Sequence, residues 1–102
     1  MANVKQARQV VIARILEGEG KTAHAQRRAA FDDAGLSEPL RTLVHKVAKH
    51  AHEVSPHDIA AARESGLSED EIFEIVVCAA IGQATRQHDT ALAALDAATN
   101  GK

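Results

Sequence analysis

Residues 66–84 read GLSEDEIFEIVVCAAIGQA, and this stretch decides the fold. Ser68 stands where an N-cap belongs and Glu71 follows three residues on. That is the spacing of a capping box, in which the Ser oxygen accepts one orphan N–H and the Glu carboxylate reaches back to another. Leu67 and Ile72 flank the box in the positions of a hydrophobic staple. Glu69, Asp70 and Glu71 place negative charge on the positive end of the helix dipole. The pattern predicts a helix starting at residue 68. Ile72, Phe73, Ile75, Val76, Val77, Ala79, Ala80 and Ile81 then cover nearly its whole circumference, so it is expected to be buried all round. The β-branched content would also suit a strand; the length and the capping box decide for helix.

Two residues inside the run stand out. Glu74 is the one charge between Ile72 and Gln83, and Cys78 lies one turn on, on the same face. Glu74 either points to an edge, with Cys78 a small core hydrophobe, or is a carboxylate in an apolar cavity with a raised pKa, able to act as acid or base.

Outward from this stretch, the chain punctuates itself into four further helices. Residues 3–17 form an amphipathic helix with Val4, Val11, Ile12 and Ile15 on one side, widened by Val10 and Leu16. Arg8 intrudes on that side, which suits loose packing or another subunit. Gly18 and Gly20 end it. Thr22 is the expected N-cap of a largely polar second helix, 23–33, in which Arg27 and Arg28 read as a solvated face before an anion site. Gly35 is the expected C′ residue. A third helix, 38–53, carries a core stripe of Leu40, Leu43, Val47 and Ala51, with Val44 and Val54 at the margins and Pro39 in the first turn. Ser55-Pro56 stops and restarts the chain, with Asp58 completing a short-armed capping box for a helix over 56–65. The helix from Ser68 runs on towards Ala98. Gly82 within it costs about 1 kcal/mol relative to Ala, and so marks a close crossing or a bend near Thr85. Leu92 and Leu95 are expected inward, and the tail Asn100–Lys102 is expected to fray. The fold class is all-α, a five-helix single domain, with 1–37 an N-terminal helical extension and 38–98 its core.

Composition narrows the function. The 102 residues contain Ala 21 times, and Phe31 and Phe73 are the only aromatics among Phe, Tyr and Trp. Ala favours helix and close contact but fills little core volume, so burial is expected to be completed in a homo-oligomer. Net charge is −2; residues 1–50 carry 9 Lys/Arg against 5 Asp/Glu, and residues 51–102 carry 3 against 9. There is no aromatic platform or basic stripe for nucleic acid, no stretch long enough for a membrane span and no signal-peptide pattern. One cysteine excludes an intrachain disulfide. The chain is expected in the cytoplasm, with no cofactor.

Four of the six histidines, His45, His50, His52 and His57, fall within a short span. His45 and His52 share a face but lie about 10.5 Å apart along a helix, and no spacing matches a zinc motif. They read as solvated or interface residues, with no metal. His50 and Lys46, one turn apart at the core boundary, keep a positional role.

The run LVHKVAKHAHEVSPHDIAAARESGLSEDEIFEIVVCAAIG, within residues 40–95, resembles the carboxymuconolactone decarboxylase and alkylhydroperoxidase D-like superfamily. The resemblance implies an alkylhydroperoxidase D-like all-α fold assembling into dimers, trimers or hexamers. Redox members of that family carry Cys-x-x-Cys-x-x-x-His with a Glu upstream. Aligned on Gly66, Ala51 and Val54 occupy the two Cys positions, Asp58 the His position and Pro39 the Glu position. Both thiols are missing, so dithiol–disulfide chemistry is lost. Two functions follow. One is a thiol-independent relative acting on or binding a small molecule between helices three, four and five, with Glu74, His50, Lys46 and Asp58 as acid–base or anion-holding candidates. The other is a non-catalytic helical homo-oligomeric scaffold or accessory protein.

Overall fold

A computed structural model describes residues 2–100, with side chains described from Gln6 to Thr99. Five α-helices account for most of it: α1 (Ala2–Glu17), α2 (His24–Asp32), α3 (Leu40–Lys49), α4 (Pro56–Glu64) and α5 (Glu69–Asn100), with a 3₁₀ turn at Ala51–Glu53. Among the described residues there is no strand. The Val4 side chain and the tail beyond Asn100 lie outside what is described.

α5 starts as its sequence dictates. The Ser68 N–H donates to Glu71 Oε1 at 3.0 Å, and the Glu71 N–H donates to Ser68 Oγ at 3.1 Å. α4 starts the same way, with a complete Ser55/Asp58 box and Pro56 in the first turn. The other starts differ from expectation. α2 is preceded by Ala23, not capped by Thr22, and no side chain caps it; Thr22 is buried and turned towards α5. α3 begins at Leu40, after Pro39 rather than through it. Its cap is the Glu38 carboxylate, which accepts from the Thr42 N–H at 2.9 Å and the Thr42 hydroxyl at 2.8 Å.

Two helix ends also differ. Asp33, at φ 52°, closes α2 in the left-handed conformation before Gly35 is reached. Asp tolerates this conformation better than most residues. α3 stops at Lys49 because His50 leaves helical geometry (φ −144°, ψ 54°). The stripe is therefore re-centred. Val44, expected at a margin, is fully buried with Leu43, while Ala51 lies past the helix end and is exposed.

The core gathers Leu16, Ala30, Phe31, Leu40, Leu43, Val44, Ala62, Ile72, Ile75, Cys78 and Ala79. α2 lies directly on α5. A Cβ placed on Gly82 would sit 1.9 Å from the Phe31 carbonyl oxygen, so of the two readings of Gly82 the close crossing is what is found. The approach lets Arg86 donate to the same carbonyl at 2.5 Å. That carbonyl belongs to the last turn of α2, where acceptors lack intrahelical partners and a cation is favoured. α1 is tied alongside α5 by Arg8, which bonds His88 and pairs with Asp89 at 3.2 Å.

α5 is not buried all round. Ile72, Ile75, Cys78 and Ala79 form its inner face, whereas Phe73 is 68% exposed. Leu92 and Leu95, expected inward, are 44% and 61% exposed. The packed helices do not cover the outer face or the far end of α5.

Gly82→Ala separates the two forces at this position. Helix propensity alone predicts a gain of about 1 kcal/mol. The Phe31 carbonyl occupies the space a methyl needs, and overpacking of this kind costs about 1–3 kcal/mol or more. The expected result is a net loss of stability of about 2 kcal/mol in urea unfolding; a midpoint equal to or above the parent would show that α2 does not rest on Gly82.

Candidate functional site

The four candidate residues form two separate clusters. The first surrounds Glu74. Loop 18–23 joins α1 to α2, and its backbone N–H and C=O groups need partners because no helix supplies them. Glu74 supplies the acceptors. Its Oε1 accepts from the Thr22 N–H at 2.9 Å, the Thr22 hydroxyl at 2.7 Å and the Lys21 N–H at 3.0 Å, and its Oε2 accepts from the Lys21 N–H at 2.9 Å. Arg27 supplies the donors. Its Nε and Nη2 reach the Thr22 carbonyl at 3.1 and 2.9 Å, and its Nη1 reaches the Gly18 carbonyl at 2.6 Å and that of Ile15 at 3.3 Å. Thr22, 4% exposed, thus lies between a carboxylate and a guanidinium, each holding the half of its peptide that suits its charge. Gly20 passes so close that a Cβ there would sit 2.8 Å from the Arg27 guanidinium and 3.0 Å from the Glu74 oxygens.

This geometry corrects two expectations. Arg27 is not on a solvated face; it is 4% exposed and spends its donors on carbonyls. Arg28 keeps the solvated role, pairing with Asp32 at 3.3 Å. The Glu74 pKa is lowered, not raised: the Lys21 N–H is the main cause, the Thr22 bonds and the Arg27 charge add to it, and burial opposes it. A carboxylate of this kind is a weak acid catalyst at neutral pH and a poor base with its lone pairs occupied. Burial pushes the Cys78 thiol up, which keeps it protonated and unreactive. The hollow bounded by Arg14, Arg27, Phe73, Glu74 and Cys78 measures about 170 Å³, below the roughly 300 Å³ at which small-molecule sites begin.

The second cluster lies between α3 and α4. Lys46 Nζ contacts both oxygens of Asp58 at 3.0 Å. Asp58 Oδ2 also accepts from the Ser55 N–H at 2.9 Å and the Ser55 hydroxyl at 3.1 Å. The Ser55 backbone, then Lys46, hold the Asp58 carboxyl below the usual range. Asp58 is therefore the acid of the α4 capping box with a lysine clamped on it. His50 is half-exposed, 3.6 Å from Glu53. Its ring centre lies 6.0 Å from that of His45 and 6.5 Å from that of His52. His45 in turn contacts Asp33 at 3.1 Å. Lys46 and His50 border one open surface hollow with Arg41, Thr42 and His45. Glu74 belongs to the other cluster, so the expected convergence between helices three, four and five is not formed. Among the described residues no group of three or more His, Cys, Asp or Glu side chains is placed to hold a metal ion, and no helix is long and apolar enough to cross a membrane.

Thr22 and Arg27 were missed as partners of Glu74. The signal was the loop itself: two glycines between helices leave backbone groups that a charged residue elsewhere must satisfy. Compared with family models, curated proteins and solved structures, the chain matches none.

The lowered Glu74 pKa fixes a pH dependence. A depressed folded pKa contributes stability that is fully present above the unfolded value of about 4.3 and is lost as pH falls through the folded value. Glu74→Gln is expected to cost about 2 kcal/mol at neutral pH, and the gap between the two proteins is expected to close on acidification below about pH 4. Urea unfolding across that range measures it; a gap independent of pH would mean the carboxylate charge does not hold the loop.

Proposed function

We propose that the chain is a non-catalytic helical module of the cytoplasm that works as a homo-oligomer, a small scaffold or accessory protein. The observation that carries this reading is the bare apolar outer surface of α5 and α1. Phe73, Leu92 and Leu95 on α5 and Val10 and Val11 on α1 are all 44% exposed or more. Isolated exposed apolar residues are ordinary; here five large ones are spread over two adjacent helices, on surface that a second chain would cover. The overall dimensions agree. The radius of gyration is 15.5 Å and the long axis 54 Å, against about 13 Å expected for a compact domain of this length. The excess is the far end of α5, which extends beyond the helices packed on its first half. The candidate acid–base groups support the same reading, because Glu74 and Asp58 are bound to backbone N–H groups and Lys46 to Asp58.

A second reading is a thiol-independent relative of the carboxymuconolactone decarboxylase and alkylhydroperoxidase D-like superfamily that binds a small molecule. The order of α3, a break, the capped α4 and the capped α5 supports it, as does the hollow beside Lys46 and His50. Amide shifts at these residues on titration with small carboxylic acids would favour this second reading over the first.

Sedimentation equilibrium tests the proposal. The parent chain is expected to show a concentration-dependent mass above the 10.8 kDa of one chain. Phe73→Ser with Leu95→Ser is expected to lower association at least tenfold with helix content unchanged, since both side chains already face solvent. A single-chain mass at every concentration would overturn it.

A further inference from the structure

The outer face of α5 is patterned in a way that selects its occupant. At about 100° per residue, Phe73, Val77, Ala80, Ala84, His88, Ala91, Leu95 and Ala98 fall on one stripe pointing away from the core. All except the half-buried Val77 are exposed. The stripe carries a large apolar side chain near each end, with three alanines, Val77 and His88 between, and His88 is bonded to Arg8 of α1. The charged residues along this part of α5, Glu74, Arg86, Asp89 and Asp96, all fall outside it. Val11 of α1 borders it in an apolar groove shared with Ala84 and His88.

We infer that the stripe is the interface with a second copy of the chain, the two α5 helices running antiparallel about a two-fold axis at Ala84. This rests on the self-association proposed above and adds its geometry. A two-fold contact places the same surface patch on both copies, so the patch must complement itself when reversed. About Ala84 it does. Phe73 faces the partner's Leu95, Val77 faces the partner's Ala91, Ala80 faces the partner's His88, and Ala84 faces its own copy. Large meets large at the two ends, while alanines in the middle let the backbones approach.

Neighbouring registers fail on named residues. Moving the axis one turn towards the N-terminus sets Leu95 against the partner's Gly66, which precedes α5 and has no side chain to meet it. Moving it one turn towards the C-terminus sets Leu95 against the partner's Ala80 and so parts it from Phe73. A parallel pair would superimpose the acidic first turns, Glu69, Asp70 and Glu71, on their own copies; like charges at that distance repel. The antiparallel pair puts that turn against the uncharged Ala97, Ala98 and Thr99 and opposes the two helix dipoles.

The size suits a small, reversible helix–helix contact. From Phe73 to Ala98 the stripe runs about 38 Å at 1.5 Å per residue. A band one helix diameter wide is then about 380 Å² in projection. That is about half of the roughly 800 Å² per partner of standard-size complexes, and the Val11 edge of α1 adds to it.

Cysteine cross-linking in the full chain tests the register, with sedimentation run in parallel. The parent, whose one cysteine is buried, is the blank. Ala84→Cys is expected to convert most of the chain to a disulfide-linked dimer under mild oxidation. Val77→Cys and Ala91→Cys are each expected to stay unlinked alone and to form a mixed dimer only when combined. Ala60→Cys on the exposed side of α4 is expected to stay unlinked. Linking of Val77→Cys or Ala91→Cys alone would establish a parallel pair and overturn the register. Association by sedimentation with no cross-link at any stripe position would overturn α5 as the interface while leaving self-association standing. A single-chain mass throughout would overturn both.

Discussion

The Phe31 carbonyl occupies the space where a side chain at residue 82 would be, and the rest of the arrangement depends on that contact. It lets α2 rest on the backbone of α5. It turns Phe31 into the core beside Ala30 and Ala79, and it gives Arg86 a carbonyl at the end of α2 to bind. Glycine is unfavourable in a helix by about 1 kcal/mol relative to alanine. Here that local cost is outweighed, because any side chain would push α2 off the surface that completes the core. With few aromatics available, close approach of small residues does what bulk does in other domains.

The acids of this chain serve its backbone. Glu38, Asp58 and Glu71 each accept an N–H at or beside a helix start, and Glu74 accepts those of the loop before α2. In Glu38, Asp58 and Glu74 the same bonds hold the carboxyl below its ordinary range. A carboxylate that accepts several fixed donors is a good cap and a poor proton carrier, since protonation would forfeit those bonds. Of the acid–base candidates, Asp58 thus fixes where α4 begins and Glu74 holds the loop before α2. Arg27 is the cationic counterpart, gathering carbonyls at the end of α1 and leaving Thr22 between two opposite charges.

What remains uncommitted is apolar and faces outward. The inner half of α5 is consumed by α2, α3 and α4, and its flank by α1. Within the chain the outer stripe is touched only at its edge by α1, through Arg8 on His88 and the groove beside Val11, among the described residues, and it is free of charge over most of its length. In a small, alanine-rich chain that places the unused hydrophobic driving force on one surface.

Local rules settled the all-helical class and several of its joints. The Ser68/Glu71 and Ser55/Asp58 boxes and Pro56 at the start of α4 follow from neighbours within a turn or two. Gly82 was legible as an anomaly. Its partner, Phe31, was not, because the contact joins residues distant in sequence. The same separation hid Thr22 and Arg27 as the partners of Glu74. It hid as well which apolar residues of α5 stay outside, since Phe73 and Ile72 are adjacent and equally hydrophobic, and only the position of the other helices tells them apart. The sequence by itself determined where α4 and α5 start and which side chains are apolar. The tertiary structure decided which face each helix buries and which charges meet, because both depend on how separate helices cross, and no periodicity within one helix carries that.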